Sequence, residues 1–145
     1  MTNADLAAAV RDLHDYLVVA GYEEAHAARY LHIARSIESS PEDVNAIRRE
    51  ARLTEIPGVG KTIAMYLREL LDTGTCSKIA DWEPVCPRSV LELTRIPGLG
   101  VRTVRRLFLE FGIADLAGLR LAREAGMLGF LTRAQIEAID ARLAS

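Results

Sequence analysis

The chain has 145 residues, half of them hydrophobic, 18 basic and 20 acidic side chains for a net charge of −2, and two cysteines. That is enough apolar material for one ordinary domain or two small ones, while no run approaches the roughly 18 uninterrupted apolar residues of a membrane span and no basic flank precedes an apolar stretch at the start, so a cytoplasmic location is expected by default. The balanced charge argues against nucleic-acid binding by bulk electrostatics, and Cys76 and Cys86, with no CxxC and no nearby histidine pair, read as reduced thiols in preference to a disulfide or a structural zinc site.

From Asp5 to Ala20 the apolar residues Leu6, Val10, Leu13, Leu17 and Val18 recur at helical spacing, with Asn3 or Asp5 as cap and Gly21 as stop. A second amphipathic helix from Glu23 to about Ser39 buries Ala27, Tyr30, Leu31, Ala34 and Ile37. His26 and His32 stand six apart, a poor spacing for joint ligation, and His14 is remote from both, so surface or packing roles are expected for all three. Ser40-Pro41-Glu42-Asp43 combines a capping residue, proline at a first helical position and acidic groups in a first turn, which predicts a third helix reaching about Leu53.

An internal repeat then organises the chain. Leu53-Thr54-Glu55-Ile56-Pro57-Gly58-Val59-Gly60 returns forty residues later as Leu93-Thr94-Arg95-Ile96-Pro97-Gly98-Leu99-Gly100, identical at six of eight positions. Each copy ends one helix at Pro-Gly and opens another at the second glycine, which predicts helix, tight hairpin, helix, twice. Gly58 and Gly98 allow close backbone approach; Gly60 and Gly100 precede helix starts whose first amides lack intrahelical partners, so a phosphate can accept from them at the positive end of the dipole. A tight connection between packed helices would use the same glycines. Two copies, each followed within two residues by Lys61 or Arg102, favour the phosphate reading.

After the first hairpin, Ile63, Ala64, Leu67, Leu70 and Leu71 form the apolar side of a fourth helix closed by Gly74. The resulting division is a four-helix unit over 1–74, a linker over 75–87 with a short helical turn at Lys78 to Trp82, and a second unit over 88–145. Trp82 reads as an anchor for that linker in preference to a base-stacking group. In the second unit Val104, Leu107, Phe108 and Phe111 face inward while Arg102, Arg105 and Arg106 share the other side. Asp115 begins a further helix to about Ala125, and Thr132-Arg133-Ala134-Gln135 has the form of a capping box before a closing helix. Residues 1–40 carry three arginines against six acids, whereas Arg88 to Arg106 holds five arginines and only Glu92, a local basic face in an acidic protein.

The paired motifs look like helix-hairpin-helix motifs, and their order resembles the amino-terminal region of family X DNA polymerases, a lyase-like helical domain followed by a second hairpin domain. The resemblance is most specific over Ile56 to Gly74 and Leu93 to Ile113; Leu128-Gly129-Phe130-Leu131 resembles a degenerate third hairpin, with Leu131 where the family tends to have glycine. The resemblance implies an all-α fold of two small subdomains and non-sequence-specific contact with the DNA sugar-phosphate backbone, in repair at gapped or 5′-phosphate DNA. Gly58, Gly60, Lys61, Thr62, Gly98, Gly100, Arg102, Thr103, Arg105 and Arg106 are the expected DNA-binding residues. His26, Tyr30 and Lys78 match parts of the family's 5′-phosphate pocket. It further implies Na+ or K+ on the main-chain carbonyls of Thr54, Ile56, Val59, Thr94, Ile96 and Leu99. Arg48, Arg49 and Arg52 either face a DNA strand or form a solvated face with Glu50 and Glu55.

Catalysis is not expected. The position matching the family's lyase nucleophile is Tyr66, and a phenol forms no imine; a residual abasic-site lyase would have to use Lys61 or Lys78, the two lysines of the chain. No palm carrying metal-binding carboxylates follows within these residues, so polymerisation is not expected, whether the chain is a free-standing module or a leading fragment. Gly60-Lys61-Thr62 is no P-loop, because Glu55 stands where that motif needs glycine. A protein-interaction adaptor on the same scaffold, encouraged by the acidic first helices, is the third reading.

Overall fold

Helix α1 (Asn3–Val19) is capped by Thr2, ahead of both caps the sequence suggested, because Thr2 and Asp5 close a reciprocal capping box. From Tyr16 to Ala20 every residue is buried, so the carboxyl-terminal half of α1 runs through the interior and does not lie on it. Around it pack α2 (Glu24–Ser39), α4 (Lys61–Thr73), α5 (Ser77–Trp82), α6 (Val90–Thr94) and α7 (Val101–Phe111). The remaining helices are α3 (Val44–Arg49), α8 (Leu116–Glu124) and α9 (Arg133–Leu143), and the computed structural model, which describes residues 1–145, is all-α without a strand. No helix is long and apolar enough to cross a membrane.

The third helix is shorter than its sequence signals suggest. Asp43 caps it through the Asn45 amide, while Ser40 ends α2 and Pro41 lies in the turn between them. Tertiary contacts override the local signal there: the Asn3 side chain donates to the carbonyls of Ile37 and Glu42 and accepts from the Val44 amide. Ala51 takes a left-handed backbone at φ 57°, and a single 3-10 turn at Leu53–Glu55 leads into the first hairpin. Arg48 pairs with Asp72, and Arg52 with Glu42, Glu50 and Glu55.

Residues 75–87 contain α5 and are tied to α1. The buried Tyr16 hydroxyl donates to the Cys86 carbonyl at 2.6 Å, with the Ile79 carbonyl at 3.4 Å. Trp82 meets Tyr22 edge to face with centroids 5.6 Å apart. Cys76 and Cys86 are free and buried, and burial pushes the Cys86 thiol up to about 11 and raises that of Cys76, which suits inert core thiols. One apolar cluster runs from Leu6 in α1 through both hairpins to Ile139 in α9. Phe111 departs from expectation: Val104 and Leu107 are buried and Phe108 is half-buried, but Phe111, in the last position of α7, is exposed. His14, expected at the surface or in packing, is buried with Nδ1 2.8 Å from the Asp15 carboxylate.

Candidate nucleic-acid interface

The two hairpins repeat in hydrogen-bond register as well as in sequence. In the first, the Ile56 amide donates to Leu53 at 3.2 Å, Val59 to Ile56 at 3.0 Å and Ala64 to Gly60 at 2.9 Å; in the second, Ile96 donates to Leu93, Leu99 to Ile96 and Val104 to Gly100, each at 3.2 Å. Burial of Leu53, Ile56 and Val59, and of Leu93, Ile96 and Leu99, fixes each turn from below and leaves its glycines on the surface.

A third turn joins α8 to α9 and repeats part of this hydrogen-bond pattern, although Phe130, in the place of Gly58 and Gly98, lacks their positive φ. Leu131 donates to Leu128 at 3.1 Å and Ile136 to Thr132 at 3.0 Å, so Thr132, and not Leu131, occupies the place of Gly60 and Gly100. There the resemblance ends. The Thr132 hydroxyl accepts from the Gln135 amide and the Gln135 side chain accepts from the Thr132 amide, so this helix start is partly closed by its own chain, with the Arg133 and Ala134 amides left open. At α4 and α7 the cap is glycine, no side chain caps the helix, and Ala64 and Val104 are the first amides of each helix to reach a carbonyl. Both starts keep open donors facing outward.

The second glycines differ. Gly60 is extended at φ −93°, but Gly100 lies at φ 83°, ψ 147°, close to backbone that only glycine adopts readily. A methyl group at either would meet no atom within 4 Å. Gly60→Ala should therefore change the melting temperature by no more than about a degree, whereas Gly100→Ala should cost about 1–3 kcal/mol, on the order of 3–8 °C in thermal unfolding. Equal melting temperatures would contradict the asymmetry.

Basic side chains surround the open helix starts, but the acidic helices reach into them. Lys61 and Thr62 are exposed at the start of α4. Arg102, with its side chain 82% exposed, makes a two-point contact with Glu24 of α2 and holds the Glu24 carboxyl below its usual range. Arg95 pairs with Asp12 of α1, Arg88 with Glu83 and Arg106 with Glu110, leaving Arg105 as the unpaired arginine of this cluster. Thr103 is engaged within the fold, its hydroxyl accepting from the Gln135 side chain at 3.0 Å.

Tyr22, which the sequence did not single out, links two of the three expected 5′-phosphate residues. Its ring lies 6.3 Å from that of His26 and 4.9 Å from the Lys78 ammonium. Tyr22 precedes the Glu23 cap of α2, so no helical spacing in the sequence signalled its contact with His26. His26 is exposed, with Nδ1 3.3 Å from the Glu23 carboxylate. Tyr30 is buried, and desolvation, with Tyr66 and Tyr22 nearby, pushes its hydroxyl up to about 12. Tyr66 is half-buried, its hydroxyl also raised by desolvation, with Cys76 and Asp81 among the contributing neighbours.

Of the six hairpin carbonyls implied as cation ligands, those of Ile56 and Ile96 accept the turn hydrogen bonds, while those of Thr54, Val59, Thr94 and Leu99 accept none from the chain. Free carbonyl oxygens suit a hard cation. No cluster of three His, Cys, Asp or Glu side chains offers a side-chain metal site.

This arrangement, helices joined through glycine turns with outward amides, defines a class, and comparison gives the same one. A helix-hairpin-helix domain matches residues 1–76, more than half of the chain, and a SAM-like helix-hairpin-helix tandem matches residues 50–112. The chain belongs to the helix-hairpin-helix family. It is also similar to the DNA polymerase/3'-5' exonuclease PolX of Bacillus subtilis (strain 168), 26% identical over 93 residues, which cover 61% of this chain and 16% of that protein. The helical region here is thus of the family X kind, and the chain matches about one sixth of that relative's length.

Proposed function

We propose that the chain binds DNA without sequence preference, gripping the sugar-phosphate backbone at two separate points. The observation that carries this reading is the contrast among three turns that share part of a hydrogen-bond pattern: Thr132 and Gln135 cap the third helix start with their side chains, while Gly60 and Gly100 leave the other two without a side-chain cap and open to an outside acceptor. Residues 1–74 would present Gly58, Gly60, Lys61 and Thr62, and residues 88–145 would present Gly98, Gly100, Arg102, Thr103, Arg105 and Arg106, joined through 75–87. Main-chain amides and mobile cations read phosphate and not base edges, so little base preference follows. A Na+ or K+ on the free hairpin carbonyls would add a positive charge shared with a phosphate.

The same reading gives the group around Tyr22 a part at DNA ends. Lys78, His26 and the hydroxyl of Tyr30 supply donors for a terminal 5′-phosphate, which suits gapped repair intermediates. Titration against single-stranded, duplex and gapped DNA bearing a 5′-phosphate tests both levels. Binding to none of them at low salt would end the proposal; equal binding with and without the phosphate would remove only the terminal pocket. Lys61→Ala should weaken binding uniformly across sequences and lower the salt slope by about 1, while Tyr66→Phe should leave affinity within about twofold. Incubation with 5′-incised abasic DNA and borohydride should leave no substantial adduct beyond an amino-terminal control, because Tyr66 has no amine. An adduct lost in Lys61→Ala or Lys78→Ala would establish a relocated lyase lysine.

A further inference from the structure

Two of the three phenylalanines gather at the surface beside the second hairpin. Phe111, 36% exposed, stacks on Phe130 with centroids 5.0 Å apart and planes 8° from parallel, and the Arg106 guanidinium lies 4.2 Å from the Phe130 centroid. Phe130 is half-buried and packs against the core with one part of its side chain, whereas Phe111 lies outside the core, whose inward positions here are filled by Val104, Leu107 and Ile113. Next to it lies a shallow cavity of about 190 Å³ lined by Arg102, Thr103, Arg106, Phe130, Leu131 and Gln135. It combines an aromatic and aliphatic wall with two guanidinium groups, and it adjoins the open start of α7.

We infer that this cavity takes an unpaired nucleobase, stacked against the Phe111–Phe130–Arg106 group with its phosphate on Arg102. Every base has a π-face, and aromatic rings and guanidinium planes stack on it irrespective of sequence. Gln135, the group best able to read a base edge, is engaged at both ends: Oε1 accepts from the Thr132 amide and Nε2 donates to Thr103. The site therefore accepts any base. Phosphate on Arg102 displaces Glu24, and a base over Arg106 competes with Glu110; both are exposed ion pairs that exchange at little cost. The inference rests on the DNA-binding reading and adds a preference: single-stranded stretches gain a contact that blunt duplex lacks.

The test uses the full chain with two probes measured separately, a single-stranded oligonucleotide carrying 2-aminopurine and a blunt duplex. Binding should change the fluorescence of the single-stranded probe, and Phe130→Leu, which keeps apolar volume but removes the ring, should abolish that change and weaken single-strand affinity on the order of tenfold. Blunt-duplex affinity should stay within about twofold. Phe111→Leu, further from the core, gives the same reading if Phe130→Leu fails to fold. Unchanged single-strand binding in the folded variants, or an equal loss on both probes, would overturn the inference. Failure to bind duplex, with a ring-dependent single-strand signal retained, would overturn the two-hairpin duplex reading and leave this site standing; binding to neither would overturn both.

Discussion

Affinity for a blunt duplex is expected to fall roughly 250- to 1000-fold between about 50 and 200 mM salt, measured by fluorescence anisotropy. If about four to six phosphates are contacted, log affinity follows log salt with a slope of roughly −4 to −5, and a fourfold change in salt is raised to that power. Two hairpins with adjoining cations supply a footprint of this size, and a single hairpin does not. The slope should not be steeper, because Arg95, Arg102 and Arg106 already hold carboxylates and exchange one anion for another on binding. Affinity independent of salt would contradict backbone recognition altogether.

Tyr16→Ala is expected to cost about 3–5 kcal/mol, as removal of a large buried aromatic does, and Tyr16→Phe about 1–3 kcal/mol, because the Cys86 carbonyl loses its donor. The Tyr16 side chain is fully buried at the centre of the fold, and its hydroxyl holds the connecting segment between the hairpins. Chemical denaturation of the two variants separates packing from hydrogen bonding. If Tyr16→Phe matches the parent protein in stability, the hydroxyl does not hold the segment.

Much of the fold was legible because periodicity and punctuation are local. The bounds of α2, α4 and α7, the glycine stops at Gly74 and Gly112, the Asp115 cap and the Thr132–Gln135 box all appear where residue types placed them. The third helix was misjudged because Asn3, forty residues away, claims the backbone at Glu42 and Val44, a contact no local signal carries. Phe111 was misplaced for a related reason: it shares the apolar period of α7, but at the last turn the helix has run past the core and meets Phe130.

The sequence by itself determined that two closely similar glycine turns exist, that each opens a helix, and that the family is helix-hairpin-helix, since these follow from residues within a few positions of one another. Only the tertiary structure decided that a third turn shares part of their hydrogen-bond pattern with a side-chain cap on its helix start, because that comparison depends on hydrogen bonds and not on residue identity. It also decided that Glu24 and Asp12 lie against Arg102 and Arg95, that Tyr22 gathers His26 and Lys78, and that two phenylalanines meet an arginine at the second hairpin. Charge and aromatic contacts join residues up to 83 positions apart, and their partners are fixed by how α1 threads the core, not by any spacing along the chain.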